Sequence, residues 1–476
     1  MTNNSLKQNI IYQGLYQMIR ILTPLITIPI ISRAFGPSGV GIYSFSFNTV
    51  QYFLMFANVG VQLYFNRLIA DVDSSKDEMS QRFWNIFISK GLLSLLMILL
   101  YVIVISIFVH DYYFIFLLQG IYLIGAAFDI SWFYAGIEKF KLPSLSSMLT
   151  SLIVLLVVFF LINDKNDLVL YVTTLSTMTI VSQIPLFLML KGKIKRATIQ
   201  WSEIWEITKA SMAYLLPNGQ LNILTSIACL VLGFITSYKE VGIFANTFNI
   251  LMVIIVLINT FDLVMIPRIT KQSKNNKDSI IQSLEQNINI QIMLTIPMVL
   301  GIISIMPGFY WWFFGESFKS TVQLMTILSI LLFIIPLNML VSRQYMIIKG
   351  YIYAYNLSMI FGIVINLVLS IILVIFLGIY GVAIARVITE LIILIWRIAD
   401  ISKEKIAINK INLVKNIISA IIMFITLNII NQHLPREMYI TILDIVVGAL
   451  VYIIINILMK NQYLIMMLKS LIKKEV

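Results

Sequence analysis

IVLLVVFFLI, at residues 153–162, is the stretch that decides the fold class. It is continuously apolar. A membrane β-strand would alternate apolar and polar positions, because one face meets lipid and the other the lumen. A helix lying on a soluble core would keep a polar stripe for water. An unbroken run suits a helix surrounded by lipid and other helices. Read outward, the run extends over 143–162, which matches the roughly 20 residues a helix needs to cross the hydrocarbon layer. Comparable runs occupy 10–32, 40–65, 83–109, 112–136, 167–190, 211–236, 241–266, 289–309, 321–347, 351–376, 379–399, 414–431 and 438–459. The sequence therefore predicts an all-α polytopic membrane protein of about 14 transmembrane helices.

Composition agrees. Of the 476 residues, 59% are hydrophobic and 12% charged, against about 25% charged in soluble domains. The net charge of +12 would suggest nucleic acid in a soluble protein. Here the cations sit in short loops, and no nucleic-acid partner is expected. With the N-terminus inside, the inner segments hold 26 Lys and Arg, and the outer loops hold 5 (Arg33, Lys165, Lys239, Lys319 and Arg436). Arg20, Lys90 and Arg386 fall within spans, which completes the 34 in the chain. Such asymmetry over short loops predicts both termini in the cytoplasm. The inner segments 191–210 and 268–288 read as amphipathic linkers along that surface, with Trp201 and Trp205 at helical spacing. The single cysteine, Cys229, and the two separated histidines, His110 and His433, offer no metal or cofactor site. The first apolar stretch reads as a retained helix, because it outruns a signal-peptide core and no small-residue cleavage site follows.

An internal repeat organises the chain. VGIYSFSFNT at 40–49 and VGIFANTFNI at 241–250 share Val, Gly, Ile, Phe and Asn in register, 201 positions apart. Each opens an inward-running span, the second and the eighth. An even number of crossings between them preserves orientation, so the halves are expected to be parallel repeats. The predicted division is an N-lobe at 1–200, a C-lobe at 201–405, and a C-terminal helix pair and tail at 406–476. Two such lobes imply a central cavity with alternating access. Gly41 and Gly242 would allow close helix approach at its outer mouth.

Ionisable residues inside spans are the functional candidates, because the membrane penalises them. Arg20, Lys90 and Arg386 would make the cavity cationic and suit an anionic headgroup, with Asn48 and Asn249 supplying hydrogen bonds for sugar hydroxyls. Arg20 lies about 15 Å along its helix, too deep for complete snorkelling. Arg386 and Glu390 are spaced i,i+4 and share a face; they read equally as a self-compensating pair or as a switch. Asp129, beside Trp132, is a candidate proton or sodium site. Asp262 is either an interfacial residue or an ion site.

Three motifs carry a family resemblance. RAFGPSGVGIYSF (33–45) resembles the Arg-x-x-Gly-Pro-x-x-x-Gly-x-Tyr signature of polysaccharide repeat-unit flippases. DISWFYAGIEKFK (129–141) is similar to that family's Asp-x-x-Trp-Phe-x-x-Gly-x-Glu segment, and LGIYGVAIARVITE (377–390) to its Gly-x-x-Gly-x-Ala segment. The family belongs to a superfamily that also holds multidrug and toxin extruders and lipid II flippases. The resemblance implies a two-lobed fourteen-helix fold in the bacterial cytoplasmic membrane. It also implies translocation of undecaprenyl-diphosphate-linked oligosaccharide for capsule, O-antigen or exopolysaccharide synthesis. A polysaccharide polymerase and a chain-length regulator would be partners. Multidrug or lipid II export is the near alternative. A membrane polymerase or glycosyltransferase is the remoter one, because its chemistry would need larger outer loops. No enzyme activity is expected, and no Gly-x-x-x-x-Gly-Lys-Ser/Thr phosphate loop occurs.

Overall fold

The computed structural model describes the chain except residues 1–2, 61–63, 73–74, 213–214, 274–276, 402–408, 433, 436 and 474–476. Side chains of 3–11, 13, 215–222, 260–273, 277–280, 400–401, 468 and 470–473 also lie outside the description. Among the described residues the structure is helical, with no strand.

The helices, in chain order, are α1 (Asn3–Ala57), α2 (Asn66–Ala70), α3 (Lys76–Phe108), α4 (Tyr113–Gln119), α5 (Ile121–Phe128), α6 (Ser131–Gly136), α7 (Lys141–Leu161), α8 (Leu168–Val181), α9 (Ile184–Leu188) and α10 (Trp201–Ser211). They continue with α11 (Leu215–Ile235), α12 (Tyr238–Ser273), α13 (Lys277–Phe313), α14 (Thr321–Leu328), α15 (Leu331–Val341), α16 (Ile352–Leu377), α17 (Ile379–Ile401), α18 (Lys410–Asn431), α19 (Met438–Leu458) and α20 (Gln462–Lys473).

Among the described residues, 12 helical stretches are long and apolar enough to span a membrane. The first of them, Gly14–Ala57, contains both of the first two expected spans, and the seventh expected span is represented by the shorter Ile223–Ile235. Each of the fourteen expected runs thus coincides with apolar helix among the described residues. The first two spans are separate helices that meet at a kink at Gly36, where the backbone is non-helical (φ 64°, ψ −179°). Glycine tolerates that positive φ. The segment 268–288 is not a flat linker. Its described residues belong to α12, as far as Ser273, and to α13, from Lys277, whose lengths of 36 and 37 residues exceed what the hydrocarbon needs. The segment 191–210 does end in a separate helix, α10.

In several helices the exposed face is wholly apolar and the polar side chains are buried, the reverse of a helix in a soluble bundle. In α7, Leu149, Leu156, Phe159 and Phe160 are exposed, while Ser144, Ser146 and Thr150 are buried. In α16, Val364, Ile375 and Phe376 are exposed, while Ser358, Asn366 and Ser370 are buried. Without a hydrophobic drive between helices in lipid, small and polar residues make the contacts. Gly362 of α16 illustrates this: a Cβ there would lie 2.4 Å from Ile393 of α17.

The chain forms two compact units. The first comprises Met1–Gly233 with Ser237–Gly242, and the second Phe234–Thr236 with Ile243–Val476. The start of the second repeat segment is packed into the first unit. A Cβ on Gly41 would fall 1.6 Å from the Tyr238 carbonyl oxygen, and one on Gly242 would fall 2.0 Å from the Pro37 carbonyl oxygen. Residues 37 and 41 map onto 238 and 242 by the offset of 201. Each glycine thus meets the residue four before the other, a reciprocal contact within the first unit.

Candidate functional site

In the first unit the site is built at a helix break. α5 ends at Phe128 and α6 begins at Ser131. Asp129 between them is extended (φ −69°, ψ 118°). A break inside an apolar span leaves backbone groups that need partners, and side chains supply them. The Asp129 carbonyl oxygen accepts from Lys90 Nζ at 3.0 Å and from Trp132 Nε1 at 3.0 Å. The Ile130 amide donates to Gln183 Oε1 at 3.3 Å, and the Ser131 amide donates to Asp129 Oδ1 at 3.0 Å. Lys90 Nζ also meets Asp129 Oδ2 at 2.8 Å. Lys90 therefore holds both the carboxylate and the backbone of the break. Its side chain is fully buried, whereas that of Asp129 is 20% exposed. Next to the break, Trp132, Phe133 and Tyr134 are core residues, packed with Phe65, Phe83 and Leu186.

In the second unit the buried ion pair lies within α17. Arg386 and Glu390 form an ion pair of 3.0 Å with 0% and 1% side-chain exposure. The contact is an ion pair by distance, but its direction does not make a hydrogen bond. Arg386 also lies over the Phe248 ring, 5.6 Å from its centroid. The second carboxylate oxygen accepts from Asn338 Nδ2 at 2.8 Å. Arg397, also fully buried, donates to Ser342 Oγ at 2.6 Å, to the Asn338 carbonyl at 3.2 Å and to Ser358 Oγ at 3.2 Å. It stacks on Tyr355 at 5.0 Å. One buried carboxylate thus stands among two buried guanidinium groups.

The remaining expected residues are dispersed. Arg20 is exposed on α1. Asn48 is half-buried; its Oδ1 accepts from Ser226 Oγ at 2.8 Å, and its Nδ2 donates to the Ser44 carbonyl at 2.7 Å. Asn249, its counterpart in the repeat, is exposed on α12. The Asp262 side chain lies outside the described residues. The structure brings Lys90 to Asp129 and Arg386 to Glu390, and leaves Arg20 outside both groups. Sequence reasoning placed Arg397 in an inner segment and passed over Asp444, a buried carboxylate of α19. Both fall inside apolar spans, the signal that picked out the others.

A family model described as polysaccharide biosynthesis protein matches residues 6–273. A curated relative from Escherichia coli (strain K12), named "Putative O-antigen transporter", is 25% identical over 361 residues, covering 73% of this chain and 85% of that protein. Among solved structures, "Lipid II flippase MurJ, inward closed conformation" is similar with a TM-score of 0.76 at 16% identity, covering 95% of this chain and 99% of that one. An inward-facing multidrug resistance MATE family transporter of the MOP superfamily is similar with a TM-score of 0.59 at 18% identity, over 83% and 99% of the two chains. At these identities the structural likeness speaks for the fold.

Proposed function

The chain belongs to the polysaccharide biosynthesis protein family, and from that premise we propose that it flips undecaprenyl-diphosphate-linked oligosaccharide units from the inner to the outer leaflet of the bacterial cytoplasmic membrane. The curated relative's name supports the class of cargo. The Lys and Arg asymmetry of the loops supports the orientation, with both termini inside. The units would feed capsule, O-antigen or exopolysaccharide assembly, with a polymerase and a chain-length regulator downstream. Transport proceeds by alternating access along a cationic path and leaves the cargo chemically unchanged.

The observation that carries the site assignment is the contrast among the three expected cations. Arg20 is exposed on a membrane-spanning helix, whereas Lys90 and Arg386 are buried against carboxylates. Arg20 is free to meet an incoming diphosphate, whose oxygens suit a guanidinium fork. Asn48 and Asn249 stand on the corresponding helices of the two repeats as partners for sugar hydroxyls. Lys90–Asp129 and Arg386–Glu390 act as latches inside their units. Exchange of a latch carboxylate between its cation and a proton or sodium ion supplies coupling, with Asp129 the more accessible of the two.

The test is cell-free. Purified protein in vesicles is expected to move a fluorescent polyprenyl-diphosphate sugar across the bilayer without altering it. Arg20→Ala removes a charge-assisted contact worth about 1.5–3 kcal/mol, a loss of roughly tenfold to a hundredfold in apparent affinity. Movement no faster than in empty vesicles, or product with new glycosidic bonds, would overturn the reading. An unchanged affinity in Arg20→Ala would remove Arg20 from it.

A further inference from the structure

The segment that leads into α10, and α10 itself, form a surface that no part of the proposed transport step uses. The segment is fastened along one face of α3. Lys195 reaches Asp77 at 2.7 Å, and its amide donates to Ser80 Oγ at 3.0 Å. Trp84 Nε1 donates to the Lys195 carbonyl at 2.9 Å. Asn85 Nδ2 donates to Glu203 Oε2 at 2.7 Å, and Ser89 Oγ meets Thr208 Oγ1 at 2.7 Å. Ile204, Ile207 and Ser211 are buried on the same side of α10. One side of the helix is therefore fixed.

The other side is an unpartnered aromatic and cationic stripe. Trp201 is 65% exposed and Trp205 70%. At about 100° per residue, Met212 and Lys209 fall within about 80° of Trp201, and both are exposed. Lys191 and Arg196, just before the helix, are exposed as well. Over 191–211 the sequence has Lys191, Lys193, Lys195, Arg196 and Lys209 against Glu203 and Glu206. Glu203 is engaged by Asn85, Lys195 by Asp77, and Lys193 lies over the Tyr134 ring at 4.8 Å. The cations left facing outward are Lys191, Arg196 and Lys209.

We propose that this stripe binds anionic phospholipid headgroups of the leaflet at the basic face of the protein. The position argues for lipid: the segment lies between a candidate span that ends at Leu188 and the apolar helix Ile223–Ile235, which puts it at the membrane surface. Exposed Trp prefers the headgroup level, where its ring is in an apolar layer and its N–H is wet. Each Lys or Arg near an anionic surface adds to the attraction, which gives the stripe its preference for anionic over zwitterionic lipid. The ladder on α3 ends at Ser89, one residue before Lys90. Headgroup binding therefore steadies the helix that holds the Asp129 latch, and the proposal stands whatever the transporter carries.

Native mass spectrometry of the full chain, released from nanodiscs of mixed phosphatidylglycerol and phosphatidylcholine, tests this. Wild type is expected to retain phosphatidylglycerol in several-fold preference to phosphatidylcholine. A Lys191→Gln/Arg196→Gln/Lys209→Gln variant loses that preference, while Trp201→Ala/Trp205→Ala lowers retention of both lipids. Equal retention of the two lipids by wild type, the behaviour of a neutral anchor, would overturn the proposal. So would an unchanged preference in the triple-Gln variant. The substituted side chains are exposed, so all variants should melt within a few degrees of wild type, which separates lost binding from lost folding.

Discussion

The third helix of the first repeat and its counterpart in the second repeat have the same place in the sequence and opposite chemistry. Lys90 of α3 corresponds, by the offset of 201, to Gln291 of α13. Lys90 is buried and paired with Asp129. Gln291 is buried, and among the described residues neither its amide nitrogen nor its oxygen has a hydrogen-bond partner. The buried ion pair of the second unit lies instead on α17, with Asn338 of α15 against Glu390. The repeat thus preserves the helix scaffold, while each unit has its own buried ion pair. In the first unit the pair joins distant segments across a helix break. In the second it is local to one helix, and a neighbouring asparagine and arginine tie it to others.

This contrast sets the order of effects. Glu390→Gln removes the one carboxylate between Arg386 and Arg397 and leaves two uncompensated guanidinium groups. A broken buried pair typically costs about 3–5 kcal/mol, so this variant is expected to show the largest drop in thermal stability in detergent. Lys90→Met comes next, at about 2–4 kcal/mol, because the remaining Asp129 can still be partly solvated. In a double-mutant cycle with Asp129→Asn, the two single losses are expected to exceed the double loss by over about 1 kcal/mol. Strict additivity would show that the two residues do not act as a pair.

The reciprocal glycines test the part of the repeat that is shared. Gly41→Ala and Gly242→Ala each push a methyl group into a backbone carbonyl, which cannot yield as a side-chain tip would. Overpacking of this kind costs about 1–3 kcal/mol. Near-equal losses of stability in the two variants are expected, as measured by melting temperature. A large loss in one and none in the other would sink the reciprocal contact.

The spans were legible because length and apolarity suffice to define them, and the Arg386–Glu390 pair because i,i+4 spacing is a local rule. The pairing of Lys90 with Asp129 was not legible. The two residues are far apart in sequence, and the break at 129–130 carries no Gly or Pro to announce it: the residues are Phe128, Asp129, Ile130 and Ser131. The tertiary partners Lys90 and Gln183, with the neighbouring Trp132, satisfy the backbone groups of that break. Arg397 was misplaced for a related reason. A loop count treats a cation near a span end as interfacial, whereas Ser342, Ser358 and the Asn338 carbonyl draw this one inward. Lys90 and Asp129 were also expected to serve separate roles, as headgroup ligand and ion site; their direct contact makes a joint role the more economical reading.

The smallest expected effect is the sharpest discriminator. Gln291→Met replaces a buried amide without partners by an apolar side chain of similar length. Leaving a buried polar group unsatisfied costs about 1–3 kcal/mol, and replacing it with a shape-matched apolar group relieves that cost. The variant is therefore expected to be neutral or slightly stabilising, the opposite sign to Lys90→Met at the matching position. The comparison uses one substituent, one measurement and two sites related by the repeat, so differences in side-chain volume largely cancel. If Gln291→Met lowers the melting temperature as much as Lys90→Met does, the amide has partners in the working protein. The second unit would then hold a polar centre on its third helix after all, and the two repeats would be alike in chemistry as well as in scaffold.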